Sequence, residues 1–241
     1  ERSQEHNLMV LSENNASLFS RSAVYHSGFN ELTSLDAYTI LPDSKKKVPV
    51  GERKTTASTS NAVFYDDVKE TSFDFPSLTK GAVAHVQYTQ FLKDAHLISP
   101  FFYAASLPGM EVVFSVSFPD EIEINYVVKN DPTGILQLKK ESRKGQNIYT
   151  WTMRHVKNET RFSDAPDDRY FTPHVIVYIS SFTNSNGKQR FLQSVADLYK
   201  WNASFTTTLN KTEDVTLRKI TDSITTGIHG EMEKATAIYS W

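Results

Sequence analysis

With 241 residues, 39% of them hydrophobic and 22% charged, the chain has material for one large domain or two smaller ones with a substantial core. A formal net charge of -2 supplies no electrostatic reason to expect nucleic acid or an anionic membrane as partner, and no apolar run approaches the roughly 20 residues of a membrane helix. Cysteine is absent, which excludes disulfides, thiolate metal sites and a cysteine nucleophile within these residues.

From the start to roughly residue 180, short segments dense in aromatic and β-branched residues are punctuated by Pro, Gly, Asn and Asp, and they predict about a dozen strands. Pro42-Asp43-Ser44-Lys45 reads as a turn. Gly81 to Thr89 then alternates small or apolar residues with polar ones. Met110 to Phe118 alternates around Val112, Phe114, Val116 and Phe118 until Pro119-Asp120 breaks it. Ile122 to Val127 alternates again directly afterward, so the two runs are expected to be neighbouring antiparallel strands. Asn130-Asp131-Pro132-Thr133-Gly134 is another turn. Gln146 to Val156 is a long two-faced strand with Tyr149, Trp151 and Met153 on one side. His174 to Ile179 is almost continuously apolar, as a strand covered on both faces should be.

After the turn Asn184-Ser185-Asn186-Gly187 the period changes. Ser194-Val195-Ala196-Asp197 has the form of a capping box, opening a helix through Leu198, Tyr199, Phe205 and Leu209. Thr212-Glu213-Asp214 starts a second helix, with Leu217, Ile220 and Ile224 inward and Gly227 as its stop. A third begins near Gly230, where Met232, Ala235, Ile238 and Tyr239 recur at helical spacing. That stripe, continuing to Trp241, predicts a core whose other half lies further along, and so the front part of a longer protein. The expected class is mainly β: a large two-sheet antiparallel sandwich over 1–187, followed by a short helical segment over 188–241.

Few residues single themselves out for chemistry. Tyr65, Asp66 and Asp67 form an aromatic and acidic cluster that could pair carboxylates or hold a cation, but adjacent strand residues point to opposite faces and a charged loop explains them better. Asp164, Asp167 and Asp168 are the best candidates for a cation, yet no glycine bends the loop, and Arg161 and Arg169 can neutralise the acids. No metal and no cofactor is therefore expected. Tyr149 and Trp151 share a strand face and could form a sugar platform or, more simply, a core. Seven histidines lack zinc-motif spacing, with His85 and His155 read as satisfied packing residues. No G-x-S-x-G elbow is present.

Three segments appear in a telling order: Tyr38-Thr39-Ile40-Leu41-Pro42-Asp43, Phe64-Tyr65-Asp66-Asp67-Val68-Lys69-Glu70 and Phe75-Pro76-Ser77-Leu78-Thr79-Lys80-Gly81-Ala82. With Phe101-Phe102, Pro108, Phe118-Pro119 and the helix from Ser194 to Trp201, they resemble the DUF3857 family. That family is the β-rich N-terminal module of bacterial transglutaminase-like proteins common in Bacteroidota. The resemblance implies a β-supersandwich similar to the N-terminal domain of M1 aminopeptidases, ahead of a Cys-His-Asp domain that Glu233 to Trp241 would introduce. It implies a non-catalytic accessory module, with Tyr239 and Trp241 at an interface to a downstream transglutaminase-like domain of the same polypeptide. It also implies an extracytoplasmic location, periplasmic or cell-surface, in a Gram-negative bacterium. A free-standing module binding a glycan or peptide is the alternative.

Overall fold

The computed structural model describes residues 1–58, 67–103, 107–158, 164–207 and 214–241. In chain order the strands begin with β1 (Arg2–Met9), β2 (Arg21–His26), β3 (Asn30–Ile40), β4 (Lys47–Pro49) and β5 (Lys54–Ala57). They continue with β6 (Lys69–Asp74), β7 (Val83–Leu92), β8 (Phe101–Phe102), β9 (Gly109–Pro119) and β10 (Ile122–Lys129). The last four are β11 (Gln137–Arg143), β12 (Gln146–Val156), β13 (His174–Asn184) and β14 (Gly187–Arg190). A single helical turn, α1 (Glu13–Ala16), follows β1, and three helices close the sequence: α2 (Val195–Ser204), α3 (Val215–Thr225) and α4 (Glu231–Ser240). The molecule is mainly β with a helical C-terminal stretch, as expected.

The strands form four sheets among the described residues, ordered β1-β7-β3-β4, β2-β6-β5, β11-β12-β9 and β10-β13-β14, with β8 also on β13. The registered pairs are antiparallel. The chain divides into two compact units, Glu1–Asp120 with Ile124–Ile179, and Glu121–Glu123 with Ser180–Trp241. The expected boundary at 187 thus lies inside the second unit, and strands β10 and β13 contribute residues to both.

Two cores organise the first unit. One gathers Val24 and Phe73 from the β2-β6-β5 sheet and Ala37, Ala84 and Val86 from the β1-β7-β3-β4 sheet, with Val50 and Phe75 beside them. Alanine at 37 and 84 leaves room for the edge-to-face pair Phe73–Phe75, whose centroids lie 5.6 Å apart. The second core joins Trp151 of β12 and Val112, Phe114 and Val116 of β9 to Val175 and Val177 of β13 and Tyr126 of β10. Phe114 stacks on Phe101 at 4.7 Å and on Trp151 at 5.6 Å. Each core lies between two sheets whose inward side chains alternate with outward polar ones.

Three expectations are corrected. β9 and β10 follow one another without pairing: β9 lies on β12 and β10 on β13, in different sheets. Proline at 119 denies the turn a donor, and Asp120 N–H donates instead to Gly145 O while its carboxylate accepts from Asn147. The corner carries the chain from one sheet of the second core to the sheet facing it. Period-two alternation is the same in both cases, because each strand turns its apolar face to one core. Next, His155 is exposed at φ 51, between the pairs Arg154–Glu111 and Val156–Gly109, in a ladder that keeps its register on either side of it. His85, by contrast, is buried, bonded through Nδ1 to Asn7 Oδ1 at 2.7 Å and stacked on Tyr38. Finally, Leu217 is 62% exposed and not inward; Ile220 and Ile224, with Thr221 and Thr225, are the half-buried residues of α3.

The helices start where their caps predict, but α2 ends at Ser204, short of the expected Phe205. The Asp197 carboxylate accepts the backbone N–H groups of Gln193 and Ser194 and the Ser194 hydroxyl, and Arg190 donates to it at 2.9 Å. Asp214 caps α3 by accepting from Thr216 and Leu217 N–H. Gly227, at φ 77, ends that helix where a side chain would be strained. Leu209, Thr212 and Glu213 lie outside the described residues.

Candidate functional site

The acidic cluster between β12 and β13 is committed elsewhere. Asp167 Oδ1 accepts from the Arg169 backbone N–H at 3.0 Å and from its Nε at 2.9 Å, capping a 3-10 turn over Asp168–Tyr170. Asp168 gives its carbonyl to Phe171 and Thr172, and Asp164 is exposed. Among the described residues no group of three His, Cys, Asp or Glu side chains could hold a metal ion.

Tyr65 and Asp66 lie outside the described residues. Asp67 is a structural fastener: its Oδ2 accepts from Gly28 N–H at 2.7 Å, in the turn joining β2 to β3. A Cβ on Gly28 would sit 2.6 Å from that oxygen, so a side chain there would push the Asp67 carboxylate aside. Sequence reasoning missed this pairing because the partners are far apart in the chain.

Tyr149 and Trp151 belong to the second core. Trp151 is 0% exposed, and Tyr103 O–H donates to its carbonyl at 3.0 Å. Burial pushes the Tyr103 phenol well above its ordinary value. Tyr149 is half-buried, edge-on to Phe118 and Tyr126. The Lys140 ammonium lies 4.4 Å from the Tyr149 ring centroid and 5.0 Å from that of Tyr126, a cation–π contact closing the corner between them. A sugar needs an open ring face, and Trp151 offers none.

The helical stretch is different. No residue of α2, α3 or α4 is buried. On α4 and just after it, Met232 is 77% exposed, Tyr239 93% and Trp241 80%. On α2, Val195, Leu198 and Tyr199 are exposed, and Phe205 follows. A shallow groove of about 290 Å³ is lined by Lys219, Ile220, Ser223 and Ile224 of α3 together with Trp241. Lys219 and Ser223 carried no signal in the sequence, being polar positions of an amphipathic helix. The groove is lined by apolar side chains with Lys219 as its charged residue, so it suits docking better than bond-making chemistry. Among the described residues, no helix is long and apolar enough to cross a membrane.

A family profile described as a domain of unknown function with a solved structure, DUF3857, matches residues 2–160. The fold is similar to a crystal structure of a "putative protease" from Parabacteroides distasonis, with a TM-score of 0.69 and 17% identity. That alignment covers 99% of this chain and 45% of the other, so the chain spans less than half the length of its neighbour. No curated protein matches.

Proposed function

The chain belongs to the DUF3857 family, and from that premise we propose that it is a non-catalytic accessory module of a transglutaminase-like cysteine hydrolase or peptidase. In this reading a Cys-His-Asp domain follows in the same polypeptide, and the module supports it or positions its peptide substrate. The observation that carries the reading is the apolar surface left open on α2, α3 and α4, from Leu198 and Tyr199 to Tyr239 and Trp241. Isolated side chains of this kind are ordinary, but several on consecutive helices mark a surface built to be covered. A neighbour more than twice as long as the matched segment, described as a protease, supports a peptidase context. The same reading carries an extracytoplasmic location, periplasmic or cell-surface, in a Gram-negative bacterium.

The direct test is to sequence the source reading frame beyond the codon for Trp241. A continuing frame with a Cys, then a His and an Asp, is expected; a stop codon there would overturn the reading. The 241-residue chain alone should turn over neither peptide nor acyl-transfer substrates, and measurable turnover that survives repurification would also remove it.

A further inference from the structure

The Lys140 ammonium is held by rings and not by a carboxylate. Its neighbours on β11, Lys139 and Arg143, share Glu141 at 3.1 and 2.9 Å. Lys140 points to the other face of the strand, and among the described residues no carboxylate lies within ion-pair reach of it. Its register partner is Tyr149 of β12, and its ammonium lies over that ring at 4.4 Å. The same ammonium lies over the Tyr126 ring of β10 at 5.0 Å.

The two rings form a corner that the core keeps in place. Their planes meet at 88°, with centroids 6.1 Å apart. Trp151, fully buried, packs at 71° to both, 5.1 Å from Tyr126 and 6.2 Å from Tyr149. Phe118 meets Tyr149 edge-on at 5.1 Å. Tyr126 and Tyr149 are only half-buried, and Lys140 is exposed. Two electron-rich ring faces turned to one point select a cation over a neutral or anionic group. The resident is a lysine side chain, so what fits the corner is a primary ammonium on an alkyl stem. An exposed contact of this kind favours the docked side chain only about two- to fivefold. Lys140 is therefore a weak occupant that a second lysine can displace.

We propose that the corner between Tyr126 and Tyr149 is a binding site for a lysine side chain of a peptide, with Lys140 as its built-in competitor. A role in presenting that peptide to a catalytic domain rests on the peptidase-accessory reading; the binding does not.

The test uses the 241-residue chain labelled with ¹³C-tyrosine and the peptide acetyl-Gly-Lys-Gly-amide. The same peptide with norleucine in place of lysine is the neutral control, and choline is a cation from outside any peptide. The lysine peptide should shift the ring signals of Tyr126 and Tyr149, and the norleucine peptide should leave them in place. Lys140→Thr, at an exposed position and with a residue suited to a strand, should bind the lysine peptide about three- to sixfold tighter, because the share of sites held by the competitor is returned. In that background Tyr149→Leu should remove the shift at Tyr126. No shift in either chain, equal shifts from the norleucine peptide, or the same affinity with and without Lys140 would overturn the proposal. So would choline binding tighter than the lysine peptide, since the corner would then suit a quaternary ammonium and not lysine. The comparison of wild type with Lys140→Thr leaves the core untouched, so it decides the matter even if Tyr149→Leu folds poorly. No enzymatic activity enters the measurement, so its failure leaves the accessory reading standing, and a stop codon after Trp241 leaves the binding result untouched.

Discussion

Asp197 concentrates more hydrogen bonds than any other carboxylate described above. The Arg190 guanidinium, then the Ser194 hydroxyl and the Gln193 N–H, hold its carboxyl down at about 2, against an ordinary 3.8. A depressed folded value means that its stabilisation is complete above the unfolded value and is lost as pH falls through the folded one. Between pH 3.8 and about 2, therefore, the wild-type chain should lose helical signal that an Asp197→Asn variant, already weaker at neutral pH, does not lose. Circular dichroism of the pair at 222 nm reads this as a difference, and parallel curves would contradict it. At Gly28 the constraint is steric: Gly28→Ala should break the Asp67 contact and lower the melting temperature, whereas Asp67→Asn, which keeps an acceptor, should lower it less. Trp151→Ala, at a fully buried position, should cost about 3–5 kcal/mol in denaturant unfolding.

At the scale of elements, some features were legible in the sequence and others were not, for physical reasons. The alternation of Val112, Phe114, Val116 and Phe118 announced β9 and its inward face, because a pleated strand has a period of two. It could not announce the sheet, since alternation reports which side is buried and not what lies beside the strand. Helix starts were legible at Ser194 and Asp214 because caps are local chemistry. The exposure of Leu217 was not, because an apolar stripe reports a face and not its partner. For the candidate surface, Tyr239 and Trp241 could be picked out as apolar ends of a helix, whereas Asp67 could not be matched to Gly28 without the fold. The cap itself can be weighed: Asp214→Ala should cost α3 about 1 kcal/mol, checked by comparing thermal melts with Asp214→Asn, which retains capping.

For the molecule as a whole, the contrast between a cored first unit and helices with no buried residue sets an order of stability. Opening free energy follows buried apolar contact, so amides of α2, α3 and α4 should exchange before those of β7 and β12. If the accessory reading holds, the same helices should gain protection in the longer protein; equal exchange in both would argue that nothing covers them.

The second unit also draws on a short earlier piece of the chain. Glu123 Oε2 accepts from Ser181 Oγ at 2.7 Å and its Oε1 from Lys188 Nζ at 2.6 Å, while Thr183 N–H donates to Glu121 O. Glu121–Glu123 therefore sit in that unit although the residues on both sides of them belong to the other. No single cut in a gene separates two bodies interleaved in this way. Recombination that moved Ser180–Trp241 alone would leave behind Glu121 and Glu123, the partners of Ser181, Thr183 and Lys188, so the β13–β14 hairpin is inherited together with the start of β10.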